Sequence, residues 1–138
     1  MPPQLENPIP RAAWLLALLL AGACTGDETL TAYGASGKLW RLSSIDGAAF
    51  TAPVSLSFPK PGTIAGQAPC NRFQGRQTAP YPWFTVASLA ATRSACPELR
   101  AESAFLQALQ EMTLAEISGS VLILSNGQGR EMLFRADG

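Results

Sequence analysis

The chain of 138 residues holds three cysteines and no histidine, and those two counts limit its chemistry. Without an imidazole it lacks the commonest general base, the usual partner of a serine or cysteine nucleophile, and the commonest zinc ligand. Cys70 and Cys96 do not form a Cys-x-x-Cys unit, and two such distant thiols cannot close a metal site unaided. No Gly-x-Ser-x-Gly elbow, phosphate-cradling glycine loop or calcium-loop spacing occurs. Carboxylates remain: Asp46, Glu98, Glu102 and Glu111 could act as an acid–base pair on a glycoside if two of them met in one cleft. Asp46 belongs to a turn signal, and the other three fall on one helical segment, where solvated or capping roles are expected. The chain is therefore read as non-catalytic, with no catalytic, cofactor-binding or metal-ligating residue.

Cys24 has a different setting from the other two cysteines. Residues 12–23 (AAWLLALLLAGA) form an unbroken apolar stretch preceded by Arg11. Twelve residues are too few to span a bilayer core about 30 Å thick, which needs about 20. The stretch fits the apolar region of a secretory leader, ended by small residues at a cleavage site. Its end, Ala21-Gly22-Ala23-Cys24, resembles the lipobox read by the lipoprotein signal peptidase. That resemblance implies cleavage before Cys24 and acylation of its thiol with diacylglycerol and chains such as palmitate. Thr25 after the cysteine, in place of Asp, implies sorting to the periplasmic face of an outer membrane. The competing reading is a buried helix in which Cys24 is merely small and apolar. One acyl chain holds only marginally at about 0.8 kcal/mol per methylene, whereas two or three make the attachment effectively permanent.

If Cys24 is acylated, Cys70 and Cys96 are left as an even pair in an oxidising compartment. A bridge between them would close a loop worth about 3.5 kcal/mol of chain entropy, a large part of a small domain's stability. The alternative, a redox-active pair, lacks the usual spacing.

The elements that must position these residues are mostly strands. Residues 25–37 (TGDETLTAYGASG) show no apolar period and read as the bulk of a flexible tether over 24–37, leaving one domain over 38–138. Residues 38–45 carry Trp40 and Leu42 on one face, and Asp46-Gly47 marks a turn. Val54, Leu56 and Phe58 alternate with Ser55 and Ser57. Residues 63–67, 73–77 and 83–89 are further strand candidates. The stretch after Pro97 is the one good helix, with Leu99, Phe105, Leu106, Leu109 and Met112 as its apolar stripe. Residues 114–117, 121–124 and 131–135 follow as strands, separated by Ser118-Gly119 and Asn126-Gly127 turns. Strands, one helix and a terminal meander give a mainly β (α+β) domain: a small antiparallel sheet or partly closed barrel with one packed helix.

Several of these pieces in order resemble the META domain family, which includes the HslJ-like proteins. They are Trp40-Arg41-Leu42, Ile45-Asp46-Gly47, Ile64-Ala65-Gly66, Cys70-Asn71-Arg72-Phe73-x-Gly75, Thr92-x-x-x-Cys96, Phe105-Leu106-x-Ala108-Leu109 and Leu122-x-Leu124. Pro69 stands where the family usually has glycine. The resemblance implies a small β-rich domain often carried on envelope lipoproteins, with no settled biochemical activity. Asn71, Arg72 and Phe73 are the first place to look for a binding surface; against that, Asn71 suits a turn that bonds its own backbone, and Phe73 and both Trp40 and Trp83 suit the core. Arg72 and Arg76 would share one face of a strand.

With 10 basic and 10 acidic residues the chain is neutral, so nucleic-acid binding is not expected. The expected role is that of a membrane-anchored envelope lipoprotein that binds or supports another envelope component; the alternative is a domain that binds a lipid or small hydrophobic ligand. A fatty-acid probe fed to cells should label the protein, and Cys24→Ala should abolish the label and accumulate precursor. Label that survives Cys24→Ala would contradict the assignment.

Overall fold

The computed structural model describes Pro3 and residues 26–137. The expected leader, its cleavage point and Cys24 lie outside the described residues. Among the described residues nine strands form: β1 (Trp40–Ile45), β2 (Ala48–Ala49), β3 (Ser55–Ser57), β4 (Gly62–Gln67), β5 (Arg72–Gln77), β6 (Ala87–Ala91), β7 (Leu114–Ser118), β8 (Val121–Ser125) and β9 (Glu131–Ala136). Helix α1 (Leu99–Glu111) separates β6 from β7. Eight strands run in the order β6-β5-β4-β3-β1-β9-β8-β7, every pairing antiparallel, and β2 pairs with β1 beside this path. The sheet is a curled half-barrel, and α1 carries the chain from one of its edges to the other.

The alternation seen in the sequence sets the inner face. Trp40 and Leu42 of β1, Leu56 of β3, Ile64 of β4, Phe73 of β5, Leu122 and Leu124 of β8, and Met132 and Phe134 of β9 are all buried. Helix α1 adds Phe105, Ala108 and Leu109, and Met112 just beyond its end, to the same cluster. The stripe differs from expectation at its first position, because Leu99 is 42% exposed while Glu102 takes a buried place. Both residues of the Asp46-Gly47 loop have positive φ, 52° and 77°, as the tight hairpin from β1 to β2 requires. Asp46 also accepts from Arg130 and from the Glu131 amide, and these bonds hold its carboxyl below the usual carboxylate range. Arg130 reaches Glu111 as well, at 2.7 Å, so the β8–β9 loop is tied to the end of α1.

Two further expectations are corrected by the structure. The tether ends sooner than the composition implies: Thr29 bridges Pro80, Leu30–Tyr33 forms a 3₁₀ helix, and Leu30 and Ala35 are fully buried. Burying a leucine contributes about 2 kcal/mol, enough to hold a segment that shows no apolar period. Asp27 fixes the entry by accepting from the Thr29 amide and hydroxyl at 2.9 and 2.6 Å. The second correction concerns residues 83–89. The strand there begins at Ala87, and Trp83 is 59% exposed rather than core. Upstream, the chain instead meets the far edge of the sheet: Phe84 donates to Thr113 O, Ala115 donates to Pro82 O, and Trp83 bridges Leu114. This contact draws the two edges together.

Gly66 permits the tightest approach in the sheet. A Cβ there would collide with the Ser55 carbonyl and lie 2.5 Å from Phe73 Cζ. Gly66→Ala should therefore cost about 2–3 kcal/mol, read as a lower urea midpoint with an unchanged slope. Unchanged stability would show that the Phe73 ring is not packed on this glycine.

Candidate functional site

The turn joining β4 to β5 carries Cys70 and Asn71, closed by the Ala68 amide donating to Asn71 O at 2.8 Å. Cys70 is joined to Cys96, with Cα atoms 5.6 Å apart, so this turn is stapled to the start of α1. Asn71 is buried beside the bridge. Its Nδ2 donates to Ser94 O at 2.9 Å and to Glu102 Oε2 at 2.6 Å. Its Oδ1 accepts from the Ser94 amide at 2.6 Å and the Thr92 hydroxyl at 2.9 Å. Two donors and two acceptor lone pairs are thus all used, and the side chain pairs with Ser94 as a peptide group in a ladder would. The local turn bond expected for Asn71 is replaced by these contacts with residues far along the chain.

Glu102 completes the cluster from α1. It is 3% exposed, and Oε1 accepts from the Cys70 amide at 3.0 Å and the Asn71 amide at 2.7 Å. The sequence reads it as a solvated or capping helix residue; in the structure it sits on the inward face, three positions before Phe105 and seven before Leu109. That spacing is the signal that could have found it, because residues at i, i+3 and i+7 share one side of a helix. A buried carboxylate is costly alone, and three N–H donors offset its lost water.

The three residues singled out for binding therefore divide. Asn71 is saturated by its partners, Phe73 is buried with its ring centroid 5.5 Å from that of Phe105, and Arg72 faces solvent. Arg72 borders a shallow groove of about 550 Å³ beside β4, β5 and β6, together with Phe73, Gln74, Ala90 and Thr92. A second groove of about 410 Å³ runs between residues 91–95 and α1, with Asn71 and Glu102 on its floor and Leu99 and Leu106 on its wall. Both share Ala91 and Thr92. Arg76 is exposed on the same strand as Arg72, as their spacing implies. Asp46 and Glu111 both pair with Arg130. Among the described residues, no three His, Cys, Asp or Glu side chains are grouped to hold a metal ion, and no helix is long and apolar enough to cross a membrane.

A META domain family model matches residues 29–138, the whole of the folded part. The chain belongs to the META domain family. The start of the match agrees with the buried 3₁₀ segment, which is thus part of the domain. Among solved structures, an NMR structure of a protein from Burkholderia xenovorans is similar at 21% identity and TM-score 0.62, over 99% of both chains. A second NMR structure matches at 25% identity and TM-score 0.57, covering 71% of this chain and 87% of the other. A crystal structure of a DUF4847 family protein from Bacteroides vulgatus has TM-score 0.63 at 14% identity, covering 76% and 95% of the two chains. No curated protein matches the chain. The solved relatives share the curled half-barrel with this META domain, and the family name carries no activity with it.

Replacing Glu102 by Ala strands three donors and should cost about 3–5 kcal/mol in the disulfide-bonded domain. Glu102→Gln can keep both backbone bonds while its amide faces Asn71 Nδ2, and should cost about 1–2 kcal/mol. Denaturation of both variants checks this order; an alanine variant as stable as the parent would refute it.

Proposed function

We propose that this META domain protein is a non-catalytic lipoprotein of the cell envelope, cut and acylated at Cys24 and held on the periplasmic face of an outer membrane. Its domain binds or supports another envelope component. The observation that carries this reading is the juxtaposition of Ala21-Gly22-Ala23-Cys24, after an apolar run, with a domain that is folded from Thr29 onward. The leader has a terminus suited to lipid attachment and is followed at once by a structured module. The Cys70–Cys96 bridge suits an oxidising compartment. Asn71 and Glu102, the polar groups nearest a groove floor, are spent on each other and on backbone, which favours a scaffold over a reaction centre.

The alternative role, uptake of a lipid or small hydrophobic ligand, requires an apolar interior left open. Trp40, Phe84, Phe105 and Phe134 fill the interior with no exposed surface, and the two grooves described are shallow and open. A binding surface for a macromolecule fits this arrangement better.

Chemical crosslinking in intact cells, followed by mass spectrometry, tests the proposal. The anchored protein should crosslink to a defined envelope component that Cys24→Ala, left as precursor, does not reach. An uncrosslinked protein that instead retains a hydrophobic small molecule in native mass spectra would favour the ligand-binding role.

A further inference from the structure

Among the described residues, the two exposed aromatic side chains, Tyr33 and Trp83, lie where the chain enters the domain. Tyr33 is 51% exposed and stacks on Tyr81, which is half-buried against the core, ring centroids 4.7 Å apart. Trp83 follows two residues after Tyr81 and is the most exposed large apolar side chain among the described residues. Pro80 and Pro82 are exposed between and beside them. The entering chain runs along this same segment: Thr29 bridges Pro80, and Glu28 O accepts from the Tyr81 amide at 2.7 Å. The cluster is also fixed to the sheet, because Tyr81 Oη accepts from the Ile117 amide and Trp83 bridges Leu114.

Chain length then determines what this cluster can face. Cys24 precedes Glu28 by four residues, a reach of at most about 14 Å fully extended. The Asp27 carboxylate is bonded to the Thr29 amide and hydroxyl, so Asp27 already belongs to the folded entry. A bilayer's headgroup zone is roughly 5–8 Å deep on each side of its apolar core. A thiol whose acyl chains sit in that core therefore cannot hold this domain far from the membrane. The edge that carries Tyr33, Tyr81 and Trp83 is the one brought nearest.

We infer that Tyr33, Tyr81 and Trp83 form the membrane-facing surface of the anchored domain, seated in the headgroup zone of the bilayer that holds Cys24; this rests on the proposed acylation. Tyrosine and tryptophan prefer that depth because each has an apolar ring and a polar handle. The ionisable groups on the same stretches of chain are Asp27, Glu28 and Glu116 with Lys38, whose ammonium is held at Gly119 O, so the surface has no excess of positive charge and suits zwitterionic headgroups better than anionic ones. Seating this edge turns the opposite parts of the half-barrel toward the periplasm and fixes the domain's orientation.

The mature chain carries a built-in reporter, since Trp14 leaves with the leader, Trp40 is fully buried and Trp83 is exposed. The acylated protein, its lipid verified by retained fatty-acid label, is reconstituted into phosphatidylcholine vesicles with and without brominated acyl chains. Tryptophan emission should shift to the blue in vesicles and lose intensity with brominated lipid, and Trp83→Phe should remove both effects. Labelled protein whose emission ignores brominated lipid, and matches Trp83→Phe in that respect, would overturn the inference while leaving acylation intact. Protein without fatty-acid label and still carrying residues 1–23 would overturn both.

Discussion

Glu102 is taken out of water on the inner side of α1 and given three N–H groups in place of it. Two of these are backbone amides of the turn between β4 and β5, so the helix cannot leave without stranding the turn, nor the turn without stranding a carboxylate. Asn71 extends the tie to Ser94 and Thr92, and the Cys70–Cys96 bridge joins the turn covalently to the stretch that leads into α1. The covalent and hydrogen-bonded ties act on different states. The bridge mainly limits the unfolded chain, whereas the carboxylate holds the native arrangement together. Helix α1 spans from one sheet edge to the other, and this cluster anchors its first half while Arg130, paired to Glu111, anchors its last turn.

What could be read in the sequence depended on period and on short-range signals. The alternation around Val54 and Phe58, the Asp46-Gly47 hairpin and the terminal meander are local, and the structure has them where the residues place them. The features that escaped are set by distant partners. Glu102 looks like a solvated helix residue until the turn 31 residues earlier is folded against it. Leu30 and Ala35 lie in a stretch without period, and only a tertiary cavity makes them core. Trp83 has the size of a core residue, but the segment it occupies serves to bridge two sheet edges and leaves its ring outside. Of the three residues proposed as a binding surface, the structure leaves only Arg72 facing solvent, because Asn71 and Phe73 are consumed in building the site.

The proposed anchoring gives these features a common direction. If Cys24 is acylated, a domain that begins to fold five residues later would be held against the bilayer, with the chain entry and its aromatic neighbours at the membrane side. The α1 end, with its disulfide and the grooves sharing Ala91 and Thr92, is then stapled and polar-satisfied, a firm surface for a partner.

Intact mass spectrometry of the protein extracted from native envelopes reads the proposed lipid anchor and the bridge together. The chain should begin at Cys24, heavier by its diacylglycerol and acyl groups, and lighter by two hydrogens for the Cys70–Cys96 bridge. A chain that begins at Met1, with no added lipid and with Cys70 and Cys96 reduced, would contradict both.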